Sequence, residues 1–122
     1  MIFQENIPIY VQIADEIKAQ IISGKLGDGE KLQSIREYSI TYKVTALTMQ
    51  RAMALLESEH VIETKKGVGS FVKAGVQKEL TVKLVDDLIY DFITRAANMG
   101  ITGDDLIKKV KDGVHNVGSR TH

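Results

Sequence analysis

The sequence predicts a mainly α-helical protein with one small β-hairpin, organised as a domain over residues 1–75 and a helical tail over residues 76–122. Apolar residues recur at helical spacing in three segments before residue 60. Residues 61–75 alternate apolar and polar residues around glycines, and a wide apolar stripe begins after residue 75. With 122 residues, 43% of them hydrophobic, the chain can bury one core and add a small accessory element.

The first helix is predicted over residues 8–23. Pro8 suits the first turn of a helix, where its missing N–H costs nothing, and Gly24 is a typical C-terminal stop. Between them, four isoleucines follow at steps of four residues: Ile9, Ile13, Ile17 and Ile21. The connector GKLGDGEKL then predicts turns, with a short strand around Lys31 and Leu32.

Two helices joined by a tight turn are predicted next. Ser34 and Glu37 form a capping-box pattern that starts the second helix, which ends near Tyr42. Thr45 caps the third helix, which ends near residue 59. Its buried face is predicted to contain Met49, Ala52, Met53 and Leu56. The short gap between the two helices is typical of a helix-turn-helix.

A β-hairpin is predicted over residues 61–75, VIETKKGVGSFVKAG. Apolar and polar residues alternate on both sides of a tip that contains Lys66, Gly67 and Gly69. Three helices followed by a two-stranded ribbon form a winged helix. This order of elements is more diagnostic than any single element.

The tail is predicted to contain two helices. The first, over residues 78–98, has an apolar stripe formed by Leu84, Val85, Leu88, Ile89, Phe92, Ile93 and Ala96. Such a stripe is too wide for a lone surface helix, so we expect it to need a partner. Thr102 and Asp105 form a second capping box, which starts a helix that continues to about residue 117. The last segment, GSRTH, is predicted to fray.

Residues 7–75 resemble the N-terminal domain of the GntR family of bacterial transcription regulators. The matching segments are PIYVQI, SGKL, KLQSIRE, VTALTMQRAMALLE and KKGVGSFV. The short remainder looks like that of the YtrA subfamily, whose two-helix tail mediates dimerisation. The resemblance implies a homodimer that binds an inverted-repeat operator, usually as a repressor and often beside genes for an ABC transporter.

The resemblance also implies which residues contact DNA. They lie at the SIR motif, on the start and exposed face of the third helix, and at the wing tip. These positions are Arg36, Thr45, Ala46, Leu47, Thr48, Gln50, Lys66, Gly67 and Val68. Arg51 and Lys65, which lie beside these positions, are also predicted to contact DNA. The family frequently has arginine at positions 46 and 50 and a basic residue at position 68, which this sequence replaces with alanine, glutamine and valine.

The side chains at these positions allow more than one interpretation. Arg36 can bind a phosphate or a guanine edge, or it can form a salt bridge with Glu37 or another acid. Gln50 can pair with adenine, and Ala46 and Leu47 can pack on thymine methyl groups. Leu47 can equally be an ordinary exposed apolar residue or a protein contact. On the first set of interpretations the operator half-site is A·T-rich under the third helix.

Charge limits the nucleic-acid hypothesis. Sixteen basic and 16 acidic residues cancel, and residues 1–75 contain nine of each. DNA binding must therefore depend on local arrangement rather than on bulk attraction. A winged-helix protein-interaction module with weak or no DNA binding is the main alternative. A ligand-sensing regulator is a third, with a pocket at the dimer seam or between the tail and the winged helix; the sequence identifies no effector.

Other classes have little support. The histidines at positions 60, 115 and 122 have no partner at metal-ligand spacing, so no metal or other cofactor is expected. GVGSF does not open a helix and fails the context test for nucleotide binding, and no nucleophile elbow or paired carboxylates support an enzyme. There is no cysteine, no leader-like start and no membrane-spanning run. We therefore expect a cytoplasmic protein without a membrane association.

Overall fold

The computed structural model describes residues 1–120, with side chains described through residue 118. The elements follow in the order α1 (Ile9–Ile22), α2 (Ile35–Tyr42), α3 (Ala46–Ser58), β1 (Ile62–Lys65), β2 (Gly69–Val72), α4 (Val76–Asn98) and α5 (Gly103–Arg120). The predicted fold class is confirmed. The chain divides into two compact units, the first over residues 1–82 and the second from residue 83 onward.

Helix α1 supplies the centre of the core of the first unit. Pro8 stands immediately before the helix, and Gly24 adopts a φ of +82° just after it, as expected of a C-terminal stop. Ile13, Ile17 and Ile21 are fully buried. Ile9, which was predicted to share their face, is 42% exposed. Steps of four residues drift by about 40° per step on a helix, so the first isoleucine lies at the margin of the buried stripe.

Helices α2 and α3 form the predicted helix-turn-helix. Both bonds of the capping box are present, with Ser34 Oγ accepting from the Glu37 N–H and the Glu37 carboxylate accepting from the Ser34 N–H. Lys43 ends α2 in the left-handed conformation, with φ of +56°, and Thr45 caps α3. The four residues predicted for the buried face of α3 are all buried. They pack in one cluster with residues of α1 and of the hairpin.

The hairpin is antiparallel, with Ile62 opposite Val72 and Lys65 opposite Gly69. Its second strand also pairs with the α1–α2 connector through an isolated bridge between Lys31 and Phe71. The strand predicted around Lys31 is therefore present as a single bridge. The wing is thus tied to the body of the unit along β2 and not only at its base.

The first turns of α4 belong to the first unit. Val76 is buried, Leu80 packs against the core, and the Gln77 side chain donates to the Ile22 carbonyl oxygen at 3.2 Å. These contacts explain why the first unit ends at residue 82, a few residues after the boundary expected at 75. Within residues 1–120, no helix is both long and apolar enough to cross a membrane.

The second unit consists of the rest of α4 and of α5. Helix α4 ends at Asn98, and Gly100 follows with a φ of +81°. Helix α5 continues to Arg120, so residues 118–120 of the segment that is predicted to fray are helical; the fraying itself stays a prediction. Glycine weakens a helix without stopping it outright, which allows α5 to continue through Gly118. Thr121 and His122 lie outside the described residues.

Candidate nucleic-acid interface

Arg36 is exposed in the first turn of α2 and has no ion pair with any carboxylate in the part of the chain that the structure describes. The alternative partner considered for it, Glu37, is held by the capping box instead. Hydrogen bonds from Ser34 lower the pKa of the Glu37 carboxyl, the backbone bond contributing most. The Arg36 guanidinium is therefore free to contact an external anion.

The exposed face of α3 has the composition that the sequence predicted. Burial of Met49, Ala52, Met53 and Leu56 turns the other side of the helix outward. Ala46, Leu47, Gln50 and Arg51 are all exposed there, and Leu47 is exposed by 58%. This face presents one amide, two apolar groups and one guanidinium.

Two threonines build the start of α3. The Thr45 hydroxyl oxygen accepts from the Thr48 N–H at 3.2 Å and donates to the Thr48 hydroxyl at 3.0 Å. Thr45 therefore satisfies one of the free N–H groups at the N-terminus of the helix. The Thr48 hydroxyl keeps its own proton, which it can donate to a phosphate oxygen at the positive end of the helix dipole, whereas the Thr45 proton is used in the bond to Thr48.

The wing tip is a tight turn that presents two lysines. The Val68 N–H donates to the Lys65 carbonyl oxygen at 2.9 Å, and Gly67 adopts a φ of +78° between them. The Lys65 ammonium lies 5.0 Å from the centre of the Phe71 ring, in cation–π geometry. Lys66 is exposed at the tip, and Val68 is 57% exposed beside it. Neither lysine has an ion pair with a described carboxylate.

A cleft of about 510 Å³, here called the wing cleft, lies between α3, the hairpin and the connector. Gln50 from α3 and Val68 from the wing both line it, so the structure brings together two of the predicted contact elements. The other predicted DNA-contacting residues do not line this cleft; most of them are exposed outside it. The cleft is therefore one part of a broader surface.

The wing cleft also contains residues that the sequence analysis missed, Lys31 from the connector and Glu57 from α3 among them. Glu57 accepts a hydrogen bond from the Thr64 hydroxyl at 3.3 Å. The strand predicted around Lys31 was a signal that the connector joins the wing, because a strand there needs a neighbouring strand. Periodicity within one element could not have placed these side chains together.

The predicted dimerisation stripe is exposed in the second unit, apart from one residue. Ala96 is 8% exposed, whereas the other six members of the stripe are 44–59% exposed. Three members of the stripe, Ile89, Phe92 and Ile93, form with α5 an open groove of about 940 Å³, here called the tail groove. Its apolar lining consists of Ile89, Phe92, Ile93, Leu106, Ile107, Val110, Val114 and Val117. Single exposed apolar residues are common on proteins, whereas a continuous apolar surface of this kind marks an interaction site.

No group of three or more His, Cys, Asp or Glu residues within residues 1–120 is arranged to hold a metal ion. His60 ends the α3 region with a φ of +59°, and His115 lies on α5. The third histidine, His122, lies outside the described residues.

A helix-turn-helix with an exposed second helix, followed by a wing with free lysines, defines a winged-helix DNA-binding protein. The chain belongs to the family described as bacterial regulatory proteins, gntR family, whose sequence profile matches residues 9–72. It is 35% identical over 111 residues to the HTH-type transcriptional regulator YhcF of Bacillus subtilis, a match that covers 89% of this chain and 92% of that protein.

The similarity extends into the tail. The HTH-type transcriptional repressor YtrA of B. subtilis is 26% identical over 112 residues, which is 89% of this chain and 86% of that protein. A GntR family transcriptional regulator from Listeria monocytogenes has a TM-score of 0.79 at 32% identity, covering 90% of this chain and 98% of that one. The predicted GntR membership and YtrA-like character are confirmed.

One solved relative includes DNA. The DNA-binding domain of AraR, in complex with operator ORX1, has a TM-score of 0.55 at 28% identity and covers 58% of this chain and 92% of that one. The chain is thus a DNA-binding transcriptional regulator, as the sequence predicted. The relatives in this family are regulators and not enzymes.

Proposed function

We propose that the protein is a homodimeric repressor that binds an inverted-repeat operator. The observation that carries this proposal is the surface formed by α3 and the wing, on which the side chains are exposed and the basic residues have no ion pair with a described carboxylate. The operator complex of the AraR domain supports binding through this fold. The repressor YtrA, similar over most of both chains, supports repression. The resemblance to the YtrA subfamily makes transporter genes candidates for the regulated operon.

Two kinds of contact are proposed on this surface. Contacts to phosphates hold the protein in register without selecting a sequence. They are made by Arg36, Thr48, Arg51, Lys65, Lys66 and the Gly67 backbone, and Thr45 takes part through the Thr48 hydroxyl that it orients. Ala46, Leu47, Gln50 and Val68 contact base edges or methyl groups and select the sequence.

As a regulator of bacterial genes, the protein acts in the cytoplasm.

The tail groove is proposed as the homodimer interface. Its lining is almost entirely apolar and comes from both helices of the second unit, so a single copy leaves it exposed to water. A second copy offers the same apolar surface, and an interface of this self-complementary kind has two-fold symmetry. Two symmetry-related winged helices match the two half-sites of an inverted repeat.

The DNA proposal is tested by a gel shift on the region upstream of the protein's own gene, measured over a series of salt concentrations. Replacing Lys65 and Lys66 with alanine should flatten the log–log salt dependence by roughly 2 to 4 for a dimer, because each neutralised phosphate contributes about 0.9. Lys25→Ala is the matched control, since this exposed lysine of the connector lies outside the predicted contacts.

The same gel shift decides against the main alternative. The exposure of two apolar side chains, Leu47 by 58% and Val68 by 57%, is what favours a protein-interaction module. A module of that kind would show no salt-dependent shift with an inverted repeat upstream of the gene. An unchanged slope in the double lysine variant would remove the wing from the DNA interface.

The dimer proposal is tested with Phe92→Asp, which places a charge in the tail groove. Burying an unpaired carboxylate is costly, so the variant should be monomeric by light scattering. Tyr90→Asp is the matched control, because Tyr90 is on the same helix, is 75% exposed and does not line the groove. If Phe92→Asp remains dimeric, the interface lies elsewhere.

A further inference from the structure

We propose that Lys31, in the connector between α1 and α2, is an additional phosphate-contacting residue of the DNA interface, and that Gly69 positions it by leaving room for its side chain. This inference rests on the proposed DNA contacts of α3 and the wing. The inference adds the connector between α1 and α2 to the DNA interface, whose contacts the sequence motifs place only on the helices α2 and α3 and on the wing tip.

The backbone around Lys31 is fixed to the wing. The Val72 N–H donates to the Glu30 carbonyl oxygen and the Leu32 N–H donates to the Ser70 carbonyl oxygen, both at 2.9 Å. These two bonds lie on either side of Lys31, which itself forms the bridge with Phe71. The Lys31 backbone is therefore hydrogen-bonded into the sheet of the wing.

The Lys31 side chain crosses directly over Gly69. A Cβ atom added to Gly69 would lie 2.7 Å from Lys31 Cε and 3.6 Å from its Nζ, closer than real Cβ contacts in the first case. Any other residue at position 69 would displace the end of the lysine. The absence of a side chain at Gly69 thus lets the ammonium lie against the start of β2.

The Lys31 side chain lies at the wing cleft. Lys31 lines the cleft together with Gln50 of α3 and Val68 of the wing, and it is the one basic residue among the described lining residues. Two acidic residues, Glu37 and Glu57, line the same cleft. Lys31 contributes to the lowered pKa of Glu37, yet no salt bridge joins it to a carboxylate of the described chain.

This arrangement gives Lys31 two effects on an approaching phosphate backbone. Its charge attracts the phosphate at a site flanked by α3 and the wing, and it offsets the repulsion that Glu37 and Glu57 would otherwise exert. Without Lys31, the cleft would present only acidic charge to DNA among its described side chains. The lysine thus allows the phosphate backbone to approach between the two predicted contact elements.

The experiment is the salt dependence of operator binding by the full-length protein. Lys31→Ala should flatten the log–log slope by about 0.9 per copy, or about 1.8 for a dimer, whereas Lys31→Arg should keep the slope. Lys25→Ala, in the same connector but outside the wing cleft, should leave it unchanged. A normal slope in Lys31→Ala, with a flattened slope in the Lys65 and Lys66 variant, overturns this inference alone. Absence of binding by the wild-type protein overturns the DNA proposal itself.

The positioning role of Gly69 is tested by a double-mutant cycle. Gly69 has a φ of +144°, so Gly69→Ala also strains the backbone, but that strain is the same whether or not Lys31 is present. Gly69→Ala should flatten the slope by up to about 0.9 per copy in the wild-type background and leave it unchanged in the Lys31→Ala background. An equal loss of affinity in both backgrounds, without a change of slope, would mean that Gly69 serves the backbone only.

Discussion

Replacing Gln50 with alanine is expected to relax base preference at one base pair in each operator half-site. Gln50 is the one amide on the exposed face of α3, and it lies four residues after Ala46. At 1.5 Å of rise per residue, the two positions are separated by about 6 Å along the helix axis. A recognition helix lies in the major groove with its N-terminal residues on base edges, so Gln50 is expected to contact a different base from the one under Ala46 and Leu47.

The expected magnitude follows from the chemistry of the contact. A bidentate bond from a glutamine amide to adenine N6 and N7 gives about 1 to 3 kcal/mol of discrimination against another base. That range corresponds to roughly a 5- to 150-fold preference at the one position. The neighbouring position should keep its preference for thymine, because Ala46 and Leu47 retain their apolar contact with the methyl group.

The assay is selection of bound sequences from a random pool, performed with the wild-type protein and with Gln50→Ala. Gln20→Ala is the control, since Gln20 lies on α1 and its amide bonds to Glu16 and Tyr42, both within the first unit. The wild-type motif should be A·T-rich under α3, and the variant should lose information at one position per half-site. A G·C-rich motif under α3, or loss of information at every position, would refute the reasoning.

Three further predictions concern anchoring and stability. Arg36→Ala should weaken binding to all sequences alike, measured by titration of unrelated DNA, if its guanidinium holds a phosphate. Gln12→Ala should lower the free energy of unfolding by about 1–3 kcal/mol, because the buried Gln12 amide makes three hydrogen bonds of 2.8–2.9 Å to the backbone of Gln4 and Ile7. Gln20→Ala, which removes two hydrogen bonds of 3.4 Å, should lower the free energy of unfolding by less in the same denaturation assay. Glu37→Gln should make the free energy of unfolding less dependent on pH in the acid range. The pKa of Glu37 is lowered in the folded protein, so the stabilisation that its carboxylate gives is present above its ordinary pKa of 4.5 and is lost as pH falls below that value. The same pH dependence in the variant and the wild-type protein would contradict this.

Local sequence signals were sufficient for most of the fold. The capping pattern of Ser34 and Glu37 and the cap at Thr45 depend on residues three positions apart, so the sequence contains all the information that they need. The buried face of α3 follows from helical periodicity in the same way. Ile9 was misplaced because equal spacing in sequence does not keep side chains on one line of a helix.

The candidate site was predictable only in part. Exposure of Arg36, of the α3 face and of the wing lysines followed from which side of each element is buried. The wing cleft was not predictable in this way, because Lys31 and Gly69 are far apart in sequence and meet only through pairing of the connector with β2. The end of α5 was missed because glycine and polar residues near a terminus suggest fraying but do not require it.

The zero net charge of the chain does not oppose DNA binding, because the two signs of charge are used differently in the first unit. Three acidic side chains are held by internal donors: Glu37 by the Ser34 N–H in the cap of α2, Glu59 by Lys18 at 2.9 Å, and Asp28 by the Gly75 N–H at 3.0 Å. Apart from Lys18, the basic side chains of this unit have no ion pair with a described carboxylate, so they remain available to phosphates. Affinity then depends on cations distributed over the connector, α2, the wing and Arg51 of α3, while selectivity depends on the uncharged side chains of the α3 face, Ala46, Leu47 and Gln50. If this separation is correct, salt should change how tightly the protein binds without changing which sequence it prefers.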